Sequence, residues 1–442
     1  MTLLHGRLFP VLAMWLWLGF GSFHAIVRAE NQLTDSPLGR VGSAAEWYQA
    51  KHILMHTPGD ELFLGVVHPA AALFERPFAV DKAAAEHREY ISTLEHRGVK
   101  VSTVVATLLD GTLDGQGHPI EGSPLRQLRD FARDFLRFDT TRLNANEQAK
   151  QRAYLNEVIE TLHPHELVGI VVQQPTVHLR KTAINTGYAA SYSMNPVMNL
   201  YFSRDQMITT AKGVVISRLN SPQRAVETKI IEFVLHKLGV VPIARVEGAG
   251  RLEGGDFIPA GDVVFIGQGL RTNAEGIRQL LAKNVFDSKR VLVVKDRWLN
   301  QTQMHLDTFF NIINPNLAVL VDTRIQSGRT KPSETMRLRV DVYERQSDGR
   351  YQKVLHEVDF QDYVTRNLKM KLIPVPKADQ LHYGVNFLTV AADQVVAAEG
   401  VSQAYKDRLR EAGVTVTWID LRNMTGGYGA AHCMTQVLKR EP

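Results

Sequence analysis

Short apolar strands that alternate with amphipathic helices are the feature that most constrains this fold. Near the start of the pattern, the sequence predicts a strand at Lys51–His56, a helix at Asp81–His96 and a second strand at Val99–Leu108. A hairpin about Asp393, a helix and a strand follow in the same order at residues 387–419. Strands joined through helices by short connections are typical of an α/β fold. Further predicted strands include Met304–Ile313.

The pattern of apolar and polar residues changes between residues 123 and 196. Two stretches, Leu125–Phe138 and Ala145–Leu162, have the periodicity of amphipathic helices, and alternating strand patterns are missing from the segment. The sequence therefore predicts a helical insertion at 123–196 within an α/β body. The charged stretch Arg329–Gln352 is predicted to be an exposed excursion from that body.

The N-terminus has the layout of a targeting segment. His5 and Arg7 precede an uncharged apolar run from Leu8 to Val27, and residues 27–29 offer a small-residue cleavage site. Residues 1–29 are therefore predicted to be a cleaved signal peptide or, because the run at 8–27 is long, an uncleaved membrane anchor. Either alternative predicts an exported protein, which is periplasmic, secreted or held at a membrane.

The charge pattern narrows the classes of partner. The 442 residues carry a net charge of +5, and no block of Lys and Arg forms a basic face, so nucleic-acid binding is not predicted. Motifs that cradle phosphates or dinucleotides are also missing, so no cofactor is predicted. The sequence leaves self-association into a homo-oligomer open.

A single cysteine, Cys433, follows a loop that contains Gly426, Gly427 and Gly429. A lone thiol cannot form an intramolecular disulfide, and glycines let the backbone approach a ligand closely. Backbone N–H groups directed at the sulfur would lower its pKa and favour a nucleophilic thiolate. The alternative is a buried cysteine that acts as a small apolar filler.

Three runs place charged residues within apolar stretches of the sequence. A charge that is buried there is costly unless it is paired. They are Asn199-Leu-Tyr-Phe-Ser-Arg-Asp205, Leu252-Glu-Gly-Gly-Asp256 and Met304-His-Leu-Asp-Thr308. If the third run is a strand, His305 and Asp307 share a face and hold each other's protonation state. A surface pair, a turn and an internal salt bridge are the simpler alternatives. His305, Asp307, Glu253 and Asp256 are also conceivable metal ligands, but metal-specific spacing is absent and no metal is predicted.

Together with Gln268–Thr272 and His432–Thr435, and in this order, the runs resemble the arginine deiminase family of the guanidino-group-modifying (amidinotransferase) superfamily. The resemblance extends over a catalytic domain at 47–442. It implies a five-bladed, pseudo-symmetric α/β propeller with an inserted helical bundle.

The resemblance also implies roles for individual residues. Cys433 is expected to attack the guanidinium carbon, and His305 to act as the general acid and base. The remaining expected site residues are the carboxylates Asp205 and Asp307 on the guanidinium, Glu253 beside the histidine, and Asn199, Arg224 and Arg271 at the amino-acid end of the substrate. Tyr428 stands where the family usually has an arginine that gates substrate access.

These roles predict an exported hydrolase that converts free L-arginine to L-citrulline and ammonia. Two alternatives remain open at this point. One is a related enzyme that hydrolyses methylated arginine or transfers the amidino group. The other is an arginine-binding protein without catalysis, which the altered loop at Tyr428 motivates.

Overall fold

The computed structural model describes residues 39–184, 186–327 and 331–442. The predicted leader at 1–29, including its apolar run at 8–27, lies outside these residues. Across the described ranges, the helices are too short or too polar to cross a membrane.

Strands make up most of the regular structure in the described ranges. In chain order they are β1 Gln49–Met55, β2 Lys100–Thr103, β3 Arg137–Asp139, β4 Pro175–Lys181, β5 Tyr188–Met194, β6 Met207–Thr210, β7 Gly213–Ile216, β8 Ala244–Arg245, β9 Phe257–Ala260, β10 Val263–Gln268, β11 Arg290–Lys295, β12 Phe310–Asn314, β13 Leu317–Val321, β14 Arg339–Arg345, β15 Tyr351–Asp359, β16 Lys371–Val375, β17 Leu388–Ala391, β18 Gln394–Ala398, β19 Thr415–Ile419 and β20 Gln436–Glu441.

Helices connect these strands. The α-helices are α1 Phe63–Val67, α2 Val80–Glu95, α3 Val104–Leu109, α4 Ser123–Arg133, α5 Ala145–Thr161, α6 Pro164–Gln173, α7 Glu227–Lys237, α8 Ala274–Ala282, α9 Phe360–Asp362, α10 Lys377–Leu381 and α11 Gln403–Glu411. A π-helical turn, Tyr363–Asn367, extends α9, and single turns of 3-10 helix lie in several loops. The order of strands and helices confirms the α/β prediction.

Five three-stranded units share one arrangement. In each unit two strands pair antiparallel and a third strand lies parallel to the second, with helical structure between the second and third strands. Parallel neighbours need such a crossover, whereas antiparallel neighbours need only a turn. The units are β20-β1-β2, β6-β7-β8, β9-β10-β11, β12-β13-β16 and β17-β18-β19.

The first of these units joins the two ends of the described chain. Its antiparallel pair consists of β1 and β20, with Ile53 opposite Val437. Residues just before β20 are therefore held by a strand from the other end of the chain. Both central side chains are buried in an apolar cluster with Tyr90 and Leu388.

The sheets remain separate. In the described ranges they number six, and no single closed barrel is formed. The sixth sheet, β3-β4-β5, lies inside the predicted insertion, so the prediction of an all-helical segment at 123–196 is wrong in part. Helices α4, α5 and α6 are present, but Pro175–Lys181 and Tyr188–Met194 form an antiparallel hairpin behind them.

Three other local predictions need correction. The strand predicted at Val99–Leu108 ends at Thr103, whose hydroxyl accepts the N–H of Ala106 and caps helix α3. The segment from Met304 onward is a 3-10 turn at Leu306–Thr308 before β12 begins. Within the supposed excursion, β14 is an inner strand of the sheet β15-β14-β11-β10-β9, because its apolar side chains are buried.

The N-cap of α8 offers a test of these assignments. The Asn273 side chain accepts the N–H groups of Gly276 and Arg251, each at 2.9 Å. Asn273→Ala is expected to lower the free energy of unfolding by about 1 kcal/mol, because both donors lose their acceptor. Urea unfolding measures this loss. The matched change Asn146→Ala, on the exposed face of α5, is expected to leave stability within about 0.5 kcal/mol; equal losses would contradict the assigned cap.

Candidate active site

Cys433 lies in the loop that precedes β20 and is only 4% exposed. The side-chain amide of Asn386 donates to its sulfur over 3.1 Å. The oxygen of the same amide accepts the backbone N–H of Ala430 at 3.0 Å and that of Cys433 at 3.2 Å. Asn386 therefore fixes both the loop and the sulfur with one side chain.

A glycine in this loop is required by close packing. A Cβ placed on Gly427 would lie 1.7 Å from the hydroxyl oxygen of Tyr201, far inside contact distance. The following residue, Tyr428, ends the 3-10 turn with a φ of 71°, in the left-handed region. Backbone of this shape brings the loop against Tyr201 and Phe202 and leads directly to Cys433.

His305 is held by two acidic side chains. Its Nε2 lies 2.8 Å from Oε2 of Glu253, and its Nδ1 lies 3.9 Å from Oδ1 of Asp205. The other oxygen of Glu253 accepts the backbone N–H of Asn220 at 2.9 Å. Gly255 packs on the imidazole, and a Cβ there would lie 2.7 Å from Nδ1. The Glu-Gly-Gly run is thus shaped around this histidine.

Asp307 lies on the other side of the sulfur. One carboxylate oxygen is 3.6 Å from Sγ of Cys433 and 2.7 Å from Nδ1 of His432. His305 precedes a 3-10 turn and Asp307 lies within it, so the two do not share a strand face and the predicted geometry of this run is wrong, although both residues lie near the sulfur. Asp256 fixes the turn by accepting the N–H of Leu306 at 2.9 Å.

A buried ion network supports His432 from behind. Its Nε2 lies 3.6 Å from Oε1 of Glu46, which also pairs with Arg440 at 2.5 Å and Arg204 at 3.5 Å. Arg204 in turn donates to the backbone carbonyl of His432. Paired buried charges of this kind orient their neighbours, and here the network orients the residue beside the cysteine.

The thiol is neutral in this arrangement. Burial and the carboxylates of Asp307 and Asp205 together raise the pKa of Cys433 to about 12, although His305 opposes them. The nearby N–H groups of Ala430 and Cys433 donate to Asn386 instead of the sulfur. The expectation that backbone N–H groups lower this pKa is therefore wrong for the protein without substrate.

The histidine is positively charged. Burial lowers the pKa of His305, but Asp205, Cys433 and Glu253 together raise it well above its usual value. Burial likewise opposes ionisation of Glu253, yet its hydrogen bond to His305 lowers the pKa of that carboxyl to about 2. The result is an imidazolium held between carboxylates, next to a neutral thiol.

Two carboxylate oxygens in the site have no donor. Oδ1 of Asp205 and Oδ1 of Asp307 are buried and have no hydrogen-bond partner among the described residues. Unsatisfied buried carboxylate oxygens are costly, and a planar cation with N–H donors directed at both would satisfy them. A guanidinium group has this shape and charge.

The same cluster has donor atoms for a metal ion. Ligand atoms of Asp205, Glu253 and His305 all lie within 4.8 Å of one another. A metal would require a neutral imidazole, whereas His305 is protonated here. Asp205 also already pairs with Arg224 at 2.8 Å. The electrostatics of these residues therefore fit an organic cation better than a metal.

The residues expected at the amino-acid end of a substrate are only partly free to bind it. Arg224 donates to Asp205 and Glu227 at 2.8 Å each and to the carbonyl of Asn199 at 3.3 Å. Asn199 itself donates to the carbonyl of Ala72. Arg271 is 7% exposed and donates to Gln301, while its buried Nε has no acceptor within the described chain.

A narrow pocket leads away from Asn386. Its volume is about 30 Å³, room for little more than one or two waters. Tyr428, Tyr383 and Glu75 line it together with Gln301, the partner of Arg271. The hydroxyl of Tyr383 donates to Glu75 at 2.8 Å. An amino acid the size of arginine requires these side chains to move.

The catalytic residues predicted from the sequence lie close together, whereas the roles of Asn386 and His432 were not predicted. A positional signal would have found Asn386. Each of the five units contributes one or two site residues, which lie two to five residues before the first strand of its antiparallel pair. These residues are Asp205 before β6, Glu253 before β9, His305 and Asp307 before β12, Asn386 before β17 and Cys433 before β20.

Comparison with known sequences identifies relatives over nearly the whole described chain. A sequence model described as arginine deiminase matches residues 71–440. An arginine deiminase of Halobacterium salinarum is 24% identical, over 91% of this chain and 97% of that protein. One from Borrelia garinii is 23% identical over 91% of this chain and 98% of its own length, and one from Listeria monocytogenes is 29% identical over 57% and 63%.

Solved structures show a similar fold. A mutant of DDAH from Pseudomonas aeruginosa, complexed with citrulline, has a TM-score of 0.50 at 17% identity and covers 88% of this chain and 99% of that one. The N-terminal domain of ArgZ, an arginine dihydrolase of cyanobacteria, bound to product, has a TM-score of 0.51 at 15% identity, with coverages of 88% and 97%.

Alkylation kinetics test the protonation state of Cys433. Because its pKa is raised to about 12, iodoacetamide is expected to modify the free protein slowly at neutral pH, with a rate that rises about tenfold per pH unit through the alkaline range. Mass spectrometry measures the rate without ambiguity, since the chain has one cysteine. An unstructured peptide with one cysteine, the control, levels off near the ordinary cysteine pKa of about 8.5. A plateau of the protein's rate below pH 9 would contradict a neutral resting thiol.

Proposed function

The chain belongs to the arginine deiminase family and is an amidine C–N hydrolase, and from this premise we propose that it converts free L-arginine to L-citrulline and ammonia. The observation that carries the proposal is the convergence of Cys433, His305 and two carboxylates whose buried oxygens have no donor. A guanidinium group satisfies both Asp205 and Asp307 and lies within reach of the sulfur.

Substrate charge activates the nucleophile in this proposal. The guanidinium cation, placed between Asp205 and Asp307, offsets the negative charge that disfavours thiolate formation, and Cys433 releases its proton to solvent water. The thiolate attacks the guanidinium carbon. His305, already an imidazolium, donates its proton to one terminal nitrogen, which leaves as ammonia. The product of this half-reaction is a cationic amidino thioether on the sulfur.

Hydrolysis completes the reaction. The imidazole, now neutral, takes a proton from water, and the resulting hydroxide adds to the amidino carbon. The carbon–sulfur bond then breaks with the sulfur leaving as a thiolate. The hydroxyl proton passes to that thiolate, which restores the thiol of Cys433 and gives the urea group of citrulline. Glu253 stabilises the imidazolium in both halves through its 2.8 Å contact with Nε2, so it acts as a positioning residue for His305.

The amino-acid end of arginine is assigned to Asn199, Arg224 and Arg271. Arg271 has a buried Nε available for a carboxylate. Arg224 keeps its contact with Oδ2 of Asp205 while the guanidinium binds Oδ1. Tyr428 then lies at the mouth of the pocket, where its aromatic ring covers the bound substrate. These roles need the pocket to open, since its volume of about 30 Å³ is too small for arginine.

A second candidate is the same chemistry on another guanidine, either hydrolysis of methylated arginine or transfer of the amidino group to an amine. It is favoured by Arg224, which is paired with two carboxylates, and by Tyr428 in place of the usual loop arginine. Steady-state kinetics on arginine, ω-methylarginine and agmatine, with and without glycine as acceptor, separate the two. A kcat/KM for arginine above that of every other guanidine would remove this candidate.

We further propose that the five units form a ring, as blades of a propeller about the site. Support comes from their shared pairing pattern and from the one position, before the first strand, at which each unit supplies a site residue. The segment at 123–196 is then an insertion between two blades, with both helices and a small sheet.

Export is proposed from the sequence of the leader. Cleavage after residue 29 yields a periplasmic or secreted enzyme, whereas retention of residues 8–27 attaches it to a membrane. Mass spectrometry of the protein purified from its native host separates these alternatives through the mature N-terminus. Size-exclusion chromatography of the same sample tests self-association.

Trapping of the intermediate tests the proposed role of Cys433. Rapid acid quench of the protein with excess L-arginine is expected to give a covalent amidino adduct on Cys433, together with citrulline in the product mixture. Cys433→Ser is expected to lose citrulline formation by about 10³-fold or more, because the hydroxyl is a far weaker nucleophile. Citrulline production that survives in Cys433→Ser would reject the mechanism, and an adduct on another residue would reassign the nucleophile.

Neutralising either guanidinium-binding carboxylate tests the proposed substrate position. Asp205→Asn and Asp307→Asn are each expected to lower kcat/KM for arginine by about 10²-fold or more, because each removes a charge that faces the cation. Asp348→Asn, an exposed aspartate paired with Arg350, is the matched control and is expected to change nothing. A loss below threefold at both site residues would show that the guanidinium binds elsewhere.

A further inference from the structure

A second pocket lies beside the catalytic cluster and shares no lining residue with the narrow pocket at Asn386. Its volume is about 550 Å³. Its walls come from residues 216–220 after β7, from the start of helix α7 and from residues 245–251 after β8. We refer to it as the Arg218–Arg251 pocket, after the two arginines that line it.

The charge balance of this pocket is positive. Two of its basic side chains have acidic partners: Arg245 pairs with Glu232, and Lys229 with Asp134 at 2.6 Å. The remaining acid in the pocket, Glu247, pairs with Lys283. Arg218 and Arg251, in contrast, form no ion pair with any residue that the structure describes. Two guanidinium charges therefore remain without a counterion in one pocket.

Hydrogen-bond donors in the same wall also lack acceptors. Nη1 of Arg218 is buried and has no acceptor within the described ranges, and the hydroxyl of Ser217, a residue 3% exposed, has no partner there either. Arg251 is held in place through its Nη1, which donates to the carbonyls of Gly248 and Gly250 at 3.1 and 2.9 Å. Its remaining donors are free to bind a ligand.

We propose that the Arg218–Arg251 pocket binds a small oxyanion, either a phosphate or a carboxylate. Guanidinium groups match the oxygens of both anions through paired N–H donors. The hydroxyl of Ser217 adds a third donor. A ligand with two negative charges balances both arginines and satisfies the buried donors, each of which is costly to leave unpaired.

The pocket wall is bonded directly to the catalytic cluster. The backbone N–H of Asn220 donates to Oε1 of Glu253 at 2.9 Å, and the carbonyl of Arg218 accepts the N–H of Leu252 at 2.9 Å. The other oxygen of Glu253 holds His305. An anion that draws Arg218 inward therefore acts on the segment that positions the general acid, and the ligand is an effector of the site.

Isothermal titration calorimetry of the full-length Cys433→Ser protein tests the binding site without turnover. Inorganic phosphate and succinate are titrated separately, which distinguishes the two sources of oxyanion. One of them is expected to bind saturably, with Arg218→Gln weakening it about tenfold or more and Ser217→Ala weakening it less. Arg88→Gln, an exposed arginine of α2, and Arg271→Gln, at the substrate site, are expected to retain the affinity.

Failure of both anions to bind saturably, or equal weakening by Arg271→Gln, would overturn the pocket assignment. Circular dichroism melting shows whether Arg218→Gln is folded, and Ser217→Ala tests the same pocket with a smaller change.

The effector role rests on the proposed function and is measured apart from binding: the bound anion is expected to change kcat for arginine in wild type but not in Arg218→Gln. Binding without that change would overturn the effector role alone.

Discussion

A thiol surrounded by buried negative charge is the constraint on which the rest of this structure depends. Asp205, Asp307 and Glu253 are all buried within reach of Cys433 or His305. Burial of a carboxylate is costly unless it is paired. Asp205 and Asp307 each have one oxygen engaged, with Arg224 and His432, whereas both oxygens of Glu253 are engaged, with His305 and the backbone N–H of Asn220. The two oxygens that remain without a donor disfavour binding of a neutral ligand and favour binding of a cation.

Burial and the neighbouring carboxylates both disfavour the thiolate form of Cys433 in the protein without substrate. In the proposed mechanism, the environment that raises the pKa of Cys433 is also the one that binds the guanidinium group. A cation between the carboxylates would remove the electrostatic penalty at the moment when the reacting carbon is next to the sulfur. The proposed mechanism therefore couples reactivity to substrate charge, and neutral electrophiles would gain no such activation.

The fold supplies this geometry through repetition. Each unit places one loop, just before the first strand of its antiparallel pair, at the common cluster, and no two of these loops are adjacent in the chain. The pairing of β1 with β20 holds the cysteine loop from the opposite end of the chain. Support residues such as Glu46 and Arg440 reach the site through this same pairing.

Much of this could be predicted from the sequence. The strands and helices of the units have clear periodicity. Five charged or reactive residues are recognisable within apolar stretches of the sequence: Cys433, His305, Glu253, Asp205 and Asp307. Asn386 does not, because an asparagine before an apolar strand reads as an ordinary turn residue. The strands β4 and β5 were missed because none of their residues is buried, so no buried face imposed an alternating pattern on them.

Protonation states were harder to predict than positions. The glycines before Cys433 suggested N–H groups directed at the sulfur, but those groups donate to Asn386, a residue 47 positions away in the chain. Only the fold shows that the carboxylates of Asp307 and Asp205 lie near the thiol, beside the imidazolium of His305. The pairing of Arg224 with Glu227 and Asp205 could likewise not be predicted from the sequence, because an arginine at the start of a helix is usually solvated.

The most direct test is a pH titration of the ultraviolet absorbance of the Cys433 thiolate in the wild-type protein and in Asp307→Asn. The account predicts no thiolate signal in wild type at neutral pH and an apparent pKa that falls by one unit or more in Asp307→Asn, because a negative charge next to the sulfur is removed. A wild-type thiol that titrates at or below its ordinary pKa of about 8.5, or a pKa that is unchanged by the substitution, would contradict it.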